Sequence, residues 1–81
     1  MSKEDIYQVA TPIFRDVFDN DRLEIHEGTT AADVEGWDSL NNIRLMLSIQ
    51  KKFAIKFSAA EIGRLKNVGE LIKLIQTKTP Q

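Results

Sequence analysis

The stretch that decides the fold covers residues 36–53 and reads GWDSLNNIRLMLSIQKKF. Asp38 is a residue type that caps helix N-termini, and the apolar side chains behind it recur every three or four positions. We therefore predict a helix that begins at Ser39, directly after the Asp38 cap, and continues to Lys52 or Phe53. Its first turn should carry a hydroxyl beside backbone N–H groups that have no partner inside the helix.

The apolar residues of this helix form two stripes. One stripe should face the core, and its members are Leu45, Met46, Ile49 and Phe53. Ile43 and Leu47 instead continue the line of Ser39 at intervals of four residues. An exposed apolar line on a small protein marks a surface for a partner or ligand, whereas a helix at the centre of a bundle is buried on most sides. The sequence leaves these two alternatives open.

A first helix is expected over residues 3–18, because apolar residues recur there at helical spacing behind Ser2, a suitable cap. Pro12 lies inside that pattern, where it removes one backbone donor and crowds the carbonyl of Gln8. We therefore expect either a kink or a restart of the helix with Thr11 as its cap.

Residues 19–37 show no sustained periodicity and should form a long loop that packs through scattered apolar anchors. Those anchors are Leu23, Ile25, Val34 and Trp37. Residues 30–34 are suited to one short helical turn within the loop. Trp37 should pack against the loop and the first helix, with a role in gating the neighbouring site as the alternative.

Two more helices follow the central one. Ser58 and Glu61 make a capping box for a short third helix over residues 59–65, and Asn67 caps a fourth that ends near Gln76. The fold class is therefore all-α: a four-helix bundle with a long structured first loop and a short third helix. We assign residues 1–77 to a single domain and residues 78–81 to a frayed C-terminal tail.

The composition describes an ordinary folded domain. With 81 residues the chain is long enough for one modest core, and 42% hydrophobic and 28% charged residues are typical of globular proteins. It has no cysteine, which removes disulfides and thiolate sites. No apolar run approaches the length of a membrane span. We expect a cytoplasmic monomer that does not insert into membranes.

Charge is divided along the chain. From Asp16 to Asp38 there are eight acidic residues against Arg22 alone, whereas from Ser39 onward eight Lys and Arg stand against two Glu. A nucleic-acid binder needs a basic face without a competing acidic block, so we expect no nucleic-acid partner. Recognition at a protein surface fits this division better.

Ser39 is a suitable residue for a phosphate ester. As the first helical residue it would lie at the positive end of the helix dipole, beside unpaired N–H groups. Helix N-termini bind phosphate groups for this reason. The alternative is that Asp38 and Ser39 are only capping chemistry, and the dipeptide alone does not separate the two.

The segment Gly-Trp-Asp-Ser-Leu at residues 36–40, with the apolar helix behind it, resembles the attachment motif and second helix of acyl carrier proteins. The resemblance extends over nearly the whole chain. A first amphipathic helix, a long loop, the motif near mid-chain, a short helix and a last helix follow one another in the order and spacing of that family. The chain is thus similar to free-standing acyl carrier proteins.

This resemblance implies that Ser39 receives a covalent 4'-phosphopantetheine arm from coenzyme A through a phosphopantetheinyl transferase, and that Asp38 and Leu40 shape the transferase site. The chain itself would not be an enzyme. The arm would carry acyl groups as thioesters from an acyl-loading ligase or acyltransferase to downstream enzymes of fatty-acid, polyketide or related biosynthesis. The residues expected to bind partners, or to form the mouth of an acyl pocket, are Ile43, Arg44, Leu47, Lys51 and Ile62.

One departure from the family concerns charge. In fatty-acid-synthesis carriers the second helix is acidic and is read by basic patches on partner enzymes, whereas here its solvent-facing places are uncharged or basic. They are Asn41, Arg44, Gln50, Lys51 and Lys52. Because complementary charge speeds encounter and like charge disfavours wrong partners, we expect dedicated partners in a specialised pathway. The alternative is that the lysines only form a solvated face.

Two other functions stay open. The chain is also compatible with an aminoacyl or peptidyl carrier, although Gly36 and Trp37 stand where such carriers typically have a Gly-Gly pair. In the second alternative it is a helical adaptor that receives no arm and binds partners through the apolar line of the central helix. Ser39 would then be only a neighbour of the cap.

Other site chemistries lack the residues they need. Ser39 is not framed by the Gly-x-Ser-x-Gly turn of many serine hydrolases, and His26, the single histidine, should face solvent. Asp19, Asp21 and Glu24 do not match the spacing of a calcium-binding loop. We therefore predict no metal site and no catalytic residue.

Overall fold

The computed structural model describes residues 1–79, and within them the chain forms four α-helices and no strand. The helices are α1 (Lys3–Val17), α2 (Ser39–Phe53), α3 (Ala59–Gly63) and α4 (Val68–Lys78), and a 3-10 turn, Ala31–Asp33, lies in the connection between α1 and α2. The all-α prediction, with its long first loop and short third helix, is confirmed. None of the described helices is long and apolar enough to cross a membrane.

α1 continues through Pro12 without a restart, which corrects the expectation of a second cap at Thr11. The Thr11 hydroxyl instead donates to the carbonyl oxygen of Tyr7 at 2.7 Å. Pro12 and Gln8 are both exposed, so water can hydrate the backbone acceptor that the proline deprives of a donor. The opposite side of α1 holds three fully buried residues, Ile6, Ala10 and Phe14.

The end of α3 differs from its predicted position. α3 stops at Gly63 rather than at residue 65, because the chain tightens there into bonds between residues three apart. In these bonds the Arg64 N–H donates to the Glu61 carbonyl at 3.3 Å, and the Leu65 N–H donates to the Ile62 carbonyl at 3.2 Å. A helix of five residues results, and it begins at the predicted capping box.

α4 continues two residues past the predicted end at Gln76. The ammonium of Lys78 forms an ion pair with a carboxylate oxygen of Glu61 at 3.0 Å. The Thr79 N–H donates to the carbonyl of Ile75 at 2.9 Å, and Thr79 itself is buried. The expected frayed tail therefore does not include residues 78 and 79, and residues 80 and 81 lie outside the described part of the chain.

The core lies where α1, α2 and α4 meet. Its buried members are Ile6, Ala10, Phe14, Leu45, Met46, Ile49, Val68, Leu71, Ile72 and Ile75. The core stripe predicted for α2 is confirmed at three positions, and the fourth, Phe53, packs against the core while partly exposed. α3 contributes no fully buried residue and covers the core through Ile62.

The long loop is joined to the start of α4 by backbone hydrogen bonds. The N–H of Val68 donates to the carbonyl of Thr29 at 2.8 Å, and the N–H of Gly69 donates to the carbonyl of Glu27 at 2.9 Å. These bonds satisfy two donors at the N-terminus of α4 that have no partner inside the helix. The loop packs as predicted, since Leu23, like the other expected anchors, is at least partly buried.

A substitution at Gly69 tests the close approach between the long loop and the start of α4. A Cβ atom there would lie 2.5 Å from Cγ and 2.8 Å from the backbone oxygen of Glu27. We expect Gly69→Ala to lower the free energy of unfolding by about 1–3 kcal/mol, the usual cost of overpacking, because the crowded atoms include backbone. Urea denaturation measures the change.

Gly63→Ala is the matched control. Nothing lies within 4 Å of a Cβ at Gly63. The alanine should therefore leave stability unchanged or raise it by up to about 1 kcal/mol, the helix-propensity difference between the two residues. Equal stability changes in the two variants would contradict the proposed close approach at Gly69.

Candidate functional site

Ser39 occupies the first position of α2, as predicted, and is exposed. Asp38 caps the helix: its Oδ1 accepts a hydrogen bond from the N–H of Asn41 at 2.8 Å. The Asp38 carbonyl oxygen accepts from the N–H of Asn42, also at 2.8 Å. The N–H groups of Ser39 and Leu40 precede these bonded donors and have no intrahelical acceptor, so the helix presents its positive end beside the Ser39 hydroxyl.

The turn before the helix is held by its own hydrogen bonds. Gly36 has a φ of +87°, in the left-handed region that side chains rarely adopt. Its carbonyl oxygen accepts from the Asp38 N–H at 2.9 Å and from the Asn41 side-chain nitrogen at 2.7 Å. The sequence reasoning did not identify Asn41 in this role, because a polar residue in a first helical turn is equally compatible with plain solvent exposure.

Trp37 packs against α1, as predicted. Its ring meets Phe14 edge to face, with 5.7 Å between centroids, and lies 5.4 Å from the ring centroid of Phe18. The indole N–H donates to Oδ1 of Asn42 at 3.0 Å. Trp37 therefore connects α1 to the start of α2, and Asn42 is a second residue that the sequence reasoning missed.

A cleft of about 410 Å³ begins at Ser39 and continues between α2, α3 and α4. Its lining consists of Ala31, Trp37, Asp38, Ser39, Asn42, Met46, Ile62, Leu65, Lys66, Asn67 and Leu71. Of the residues predicted to bind partners, Ile62 lines this cleft, whereas Ile43 and Leu47 do not. The predicted site residues thus belong to two surfaces, the cleft and the outer face of α2.

The outer face of α2 carries large exposed aliphatic side chains. Leu40, Ile43 and Leu47 are 58%, 57% and 61% exposed. With Arg44 and Lys51 they fall within an arc of about 100° around the helix axis, given 3.6 residues per turn. The stripe that continues the line of Ser39 therefore faces outward, which decides between the two alternatives left open by the sequence. We call these five residues the outer face of α2.

The positive charge on α2 is not neutralised by the part of the chain that the structure describes. α2 contains no acidic residue. Across residues 1–79 the only ion pair joins Lys78 to Glu61, and none involves Arg44, Lys51 or Lys52. These three exposed cations are therefore available to an external anionic group.

The acidic loop has a local structural role. His26 is exposed, and its Nδ1 accepts from the N–H of Gly28 at 3.2 Å. Asp33 accepts at 2.9 Å from the N–H of Thr30 and so closes the 3-10 turn expected in this segment. Among the described residues no group of three or more His, Asp or Glu side chains is placed to hold a metal ion.

Comparison with known proteins identifies the family. Residues 8–75 match the family model described as the phosphopantetheine attachment site. The chain belongs to the acyl carrier protein family. This carrier is 25% identical over 77 residues to the acyl carrier protein of Thermotoga maritima, and the match covers 95% of each chain. It is also similar to the solution NMR structure of holo acyl carrier protein from Geobacter metallireducens, with a TM-score of 0.84 and 42% identity over 89% of this chain and 83% of that one.

The prosthetic group of this carrier is a covalently attached 4'-phosphopantetheine. The residues at the head of α2 fit such a group. An exposed hydroxyl, unpaired N–H groups and the positive end of a 15-residue helix favour a phosphodiester at this place. When bound, the arm supplies a terminal thiol that carries an acyl group as a thioester. Carriers of this family deliver such groups to biosynthetic enzymes and leave catalysis to those enzymes.

α3, which borders the cleft through Ile62, is held by a carboxylate. The Glu61 side chain accepts from the N–H of Ser58 at 2.8 Å, while the Ser58 hydroxyl accepts from the N–H of Glu61 at 3.1 Å. The hydrogen bond from the Ser58 backbone, followed by that from the Lys78 ammonium, lowers the pKa of Glu61 below its ordinary value of 4.5. The ionised form is therefore the one that stabilises α3.

This predicts that acid loosens α3. Because the folded-state pKa of Glu61 is depressed, its contribution is fully present above pH 4.5 and is lost as the pH falls through the lower folded-state value. Hydrogen-exchange protection of the α3 amides should decrease in that range. Glu61→Gln keeps a side chain suited to the capping box but does not titrate, so its α3 protection should change much less with pH. A variant with the pH dependence of the native protein would contradict the prediction.

Proposed function

We propose that Ser39 is the attachment residue of the arm and that the protein carries acyl intermediates for a specialised biosynthetic pathway. The observation that supports the attachment is the position of the Ser39 hydroxyl. It is exposed, lies at the positive end of α2 and opens onto the cleft. Within the described residues no hydrogen bond engages this hydroxyl, so a transferase can reach it without breaking one.

In this function the chain supplies the nucleophilic hydroxyl and the modifying enzyme supplies the base. Asp38 is occupied with capping, since its Oδ1 accepts from the N–H of Asn41. His26 is not among the residues of the cleft. Leu40, exposed beside Ser39, offers an apolar contact to the transferase. Asp38 and Leu40 therefore position and present the hydroxyl.

Loading from coenzyme A tests the attachment residue. Incubation with a broad-specificity phosphopantetheinyl transferase should add one phosphopantetheine group to the native protein, visible as an intact-mass increase. Ser39→Ala should abolish the increase, because the accepting oxygen is removed. Ser48→Ala, on the same helix and outside the cleft lining, should load as the native protein does. Loading of Ser39→Ala would show that another residue is modified.

The outer face of α2 supports the proposal of dedicated partners. Its three exposed aliphatic residues offer a contact that excludes water, and Arg44 and Lys51 flank them with charge that the described residues leave unpaired. An enzyme whose docking surface has a basic patch would be repelled by this helix. We therefore assign it to enzymes that combine an apolar contact with acidic residues, and Ile62 to the mouth of the cleft.

Charge reversal on α2 tests this assignment as a gain of function. The test variant combines Arg44→Glu, Lys51→Glu and Lys52→Glu. With the arm attached and its thiol free, this variant should be a better substrate than the native carrier for a malonyl-transferring enzyme of fatty-acid synthesis that has a basic docking patch. We expect kcat/KM to rise on the order of 10-fold at low ionic strength, because complementary charge accelerates encounter, and the gain to shrink as salt is added.

The control has the same net charge change at a different place. Lys56→Glu, Arg64→Glu and Lys73→Glu alter three exposed cations that lie off α2. This variant should leave kcat/KM close to the native value. Equal gains in both triple variants would show that net charge alone matters and would contradict a docking role for α2.

A further inference from the structure

The cleft beside Ser39 is bordered by two amide groups whose oxygens each already accept a hydrogen bond, whereas their nitrogens donate none. Oδ1 of Asn42 accepts from the indole N–H of Trp37 at 3.0 Å, and Oδ1 of Asn67 accepts from the N–H of Glu70 at 2.8 Å. Both asparagines line the cleft. In neither does the side-chain nitrogen donate to another group among residues 1–79. Each amide is therefore oriented by the fold, and the group that has no partner among the described residues is the NH2 donor.

Lys66 adds a third donor to the same lining. The neighbouring carboxylate of Glu70 accepts from the backbone N–H of Lys66 at 2.9 Å, and no carboxylate of the described residues forms an ion pair with the Lys66 ammonium. The one acid in the lining is Asp38, whose Oδ1 is engaged by the N–H of Asn41. The lining thus contains three side-chain donor groups, those of Asn42, Asn67 and Lys66, and a single carboxylate, one oxygen of which is used in capping.

Apart from Ser39, the remaining residues of the cleft lining are apolar. Met46 and Leu71 are buried members of the core, and Ile62 and Leu65 are partly buried residues packed against it. A group that fits this lining has a hydrocarbon part and oxygen atoms that accept hydrogen bonds. A saturated hydrocarbon chain leaves the donors without partners when it displaces water from them, which costs free energy.

We propose that the cleft selects acyl groups that carry a carbonyl oxygen beyond the thioester, such as 3-oxoacyl groups, over saturated acyl groups of equal length. A site that offers hydrogen bonds discriminates against an analogue without the matching atom, because its own polar groups are left unpaired. The rim is open to water, so the discrimination is moderate. This inference rests on the proposed attachment at Ser39, a residue of the cleft lining, from which the flexible arm can fold back and bring its cargo into the cleft.

The experiment compares three forms of the native protein: the arm alone, the arm loaded with hexanoyl and the arm loaded with 3-oxohexanoyl. Intact mass establishes loading in each case. The side-chain NH2 resonances of Asn42 and Asn67 in nitrogen-15 NMR spectra report on the donors, and the fluorescence of Trp37, the single tryptophan, reports on the cleft. We expect the 3-oxohexanoyl form to shift both amide resonances well beyond the shifts produced by the other two forms.

Aspartate variants separate the donor from the acceptor role. Asn42→Asp and Asn67→Asp retain the oxygen that accepts from Trp37 or caps α4 and replace the NH2 donor with an anionic carboxylate oxygen, which repels a carbonyl oxygen. Each variant should lower the ratio of cleft-bound to solvent-exposed 3-oxohexanoyl group, as reported by the Trp37 fluorescence and the remaining amide resonance, by about 2- to 10-fold, the net effect of one hydrogen bond. The same ratio for the hexanoyl group should stay nearly unchanged. Asn20→Asp is the matched control: its Oδ1 accepts from the N–H of Arg22, and it lies outside the cleft lining.

Three outcomes overturn the proposal, and they are distinguishable. If Ser39 accepts no arm, the attachment falls together with the cargo inference. If the arm alone shifts the two amide resonances as far as the 3-oxohexanoyl form does, the donors bind the amides of the arm rather than the cargo. If the hexanoyl and 3-oxohexanoyl forms give equal shifts and equal Trp37 emission, the cleft does not select for oxygen, while the attachment at Ser39 stands.

Discussion

The structure depends on one junction, at which Trp37 meets two helices at once. Its ring packs against Phe14 on α1 and against Phe18, which directly follows α1, and its N–H is satisfied by the side chain of Asn42 on α2. A half-buried indole needs such a polar partner, and the asparagine supplies it from the first turn of α2. The position of α2 relative to α1 is therefore set immediately beside Ser39, so the hydroxyl is placed by the packing of the bundle rather than by a mobile loop.

α2, the helix that follows Trp37, has three surfaces in different environments. Leu45, Met46 and Ile49 are buried in the core, whereas the outer face of α2 stays in contact with solvent. The N-terminal end of α2 presents the hydroxyl of Ser39. Because successive residues rotate by about 100° around the axis, a single run of mostly apolar residues can serve the core and an external surface together. The cost is the apolar area that Leu40, Ile43 and Leu47 leave exposed to solvent.

Much of this arrangement is predictable from local sequence. The Asp38 cap, the capping box of Ser58 and Glu61 and the core stripe of α2 each depend on residues within one or two helical turns, and each lies where expected. The outward direction of Ile43 and Leu47 was not predictable in this way, because it depends on where α1 and α4 pack. Periodicity reports that a helix has two apolar sides but not which neighbours cover them.

The features that the sequence predicted wrongly, or did not predict at all, depend on tertiary contacts. α1 passes through Pro12 because its buried face opposite the proline is continuous and the affected carbonyl is exposed, so packing outweighs the local penalty. The roles of Asn41 and Asn42 depend on a carbonyl and an indole brought close by the turn at Gly36, and polar residues at a helix start carry no mark of such partners. The cleft depends on the placement of α3, a five-residue helix with no local signal for its orientation.

The two backbone hydrogen bonds between the long loop and α4 also bear on how the chain folds. Thr29 and Glu27 receive their backbone donors from Val68 and Gly69, which are synthesised long after them. Until Val68 and Gly69 are available, the loop that leads into Trp37 lacks two of its backbone hydrogen bonds. Contacts between segments so distant in sequence form slowly during folding. The loop that leads into Trp37 and Ser39 therefore has its full set of backbone hydrogen bonds only once the start of α4 is present. The segment that precedes Ser39 is thus tied to a helix about 40 residues further along the chain, so the local structure at the start of α2 and the packing of α4 form together.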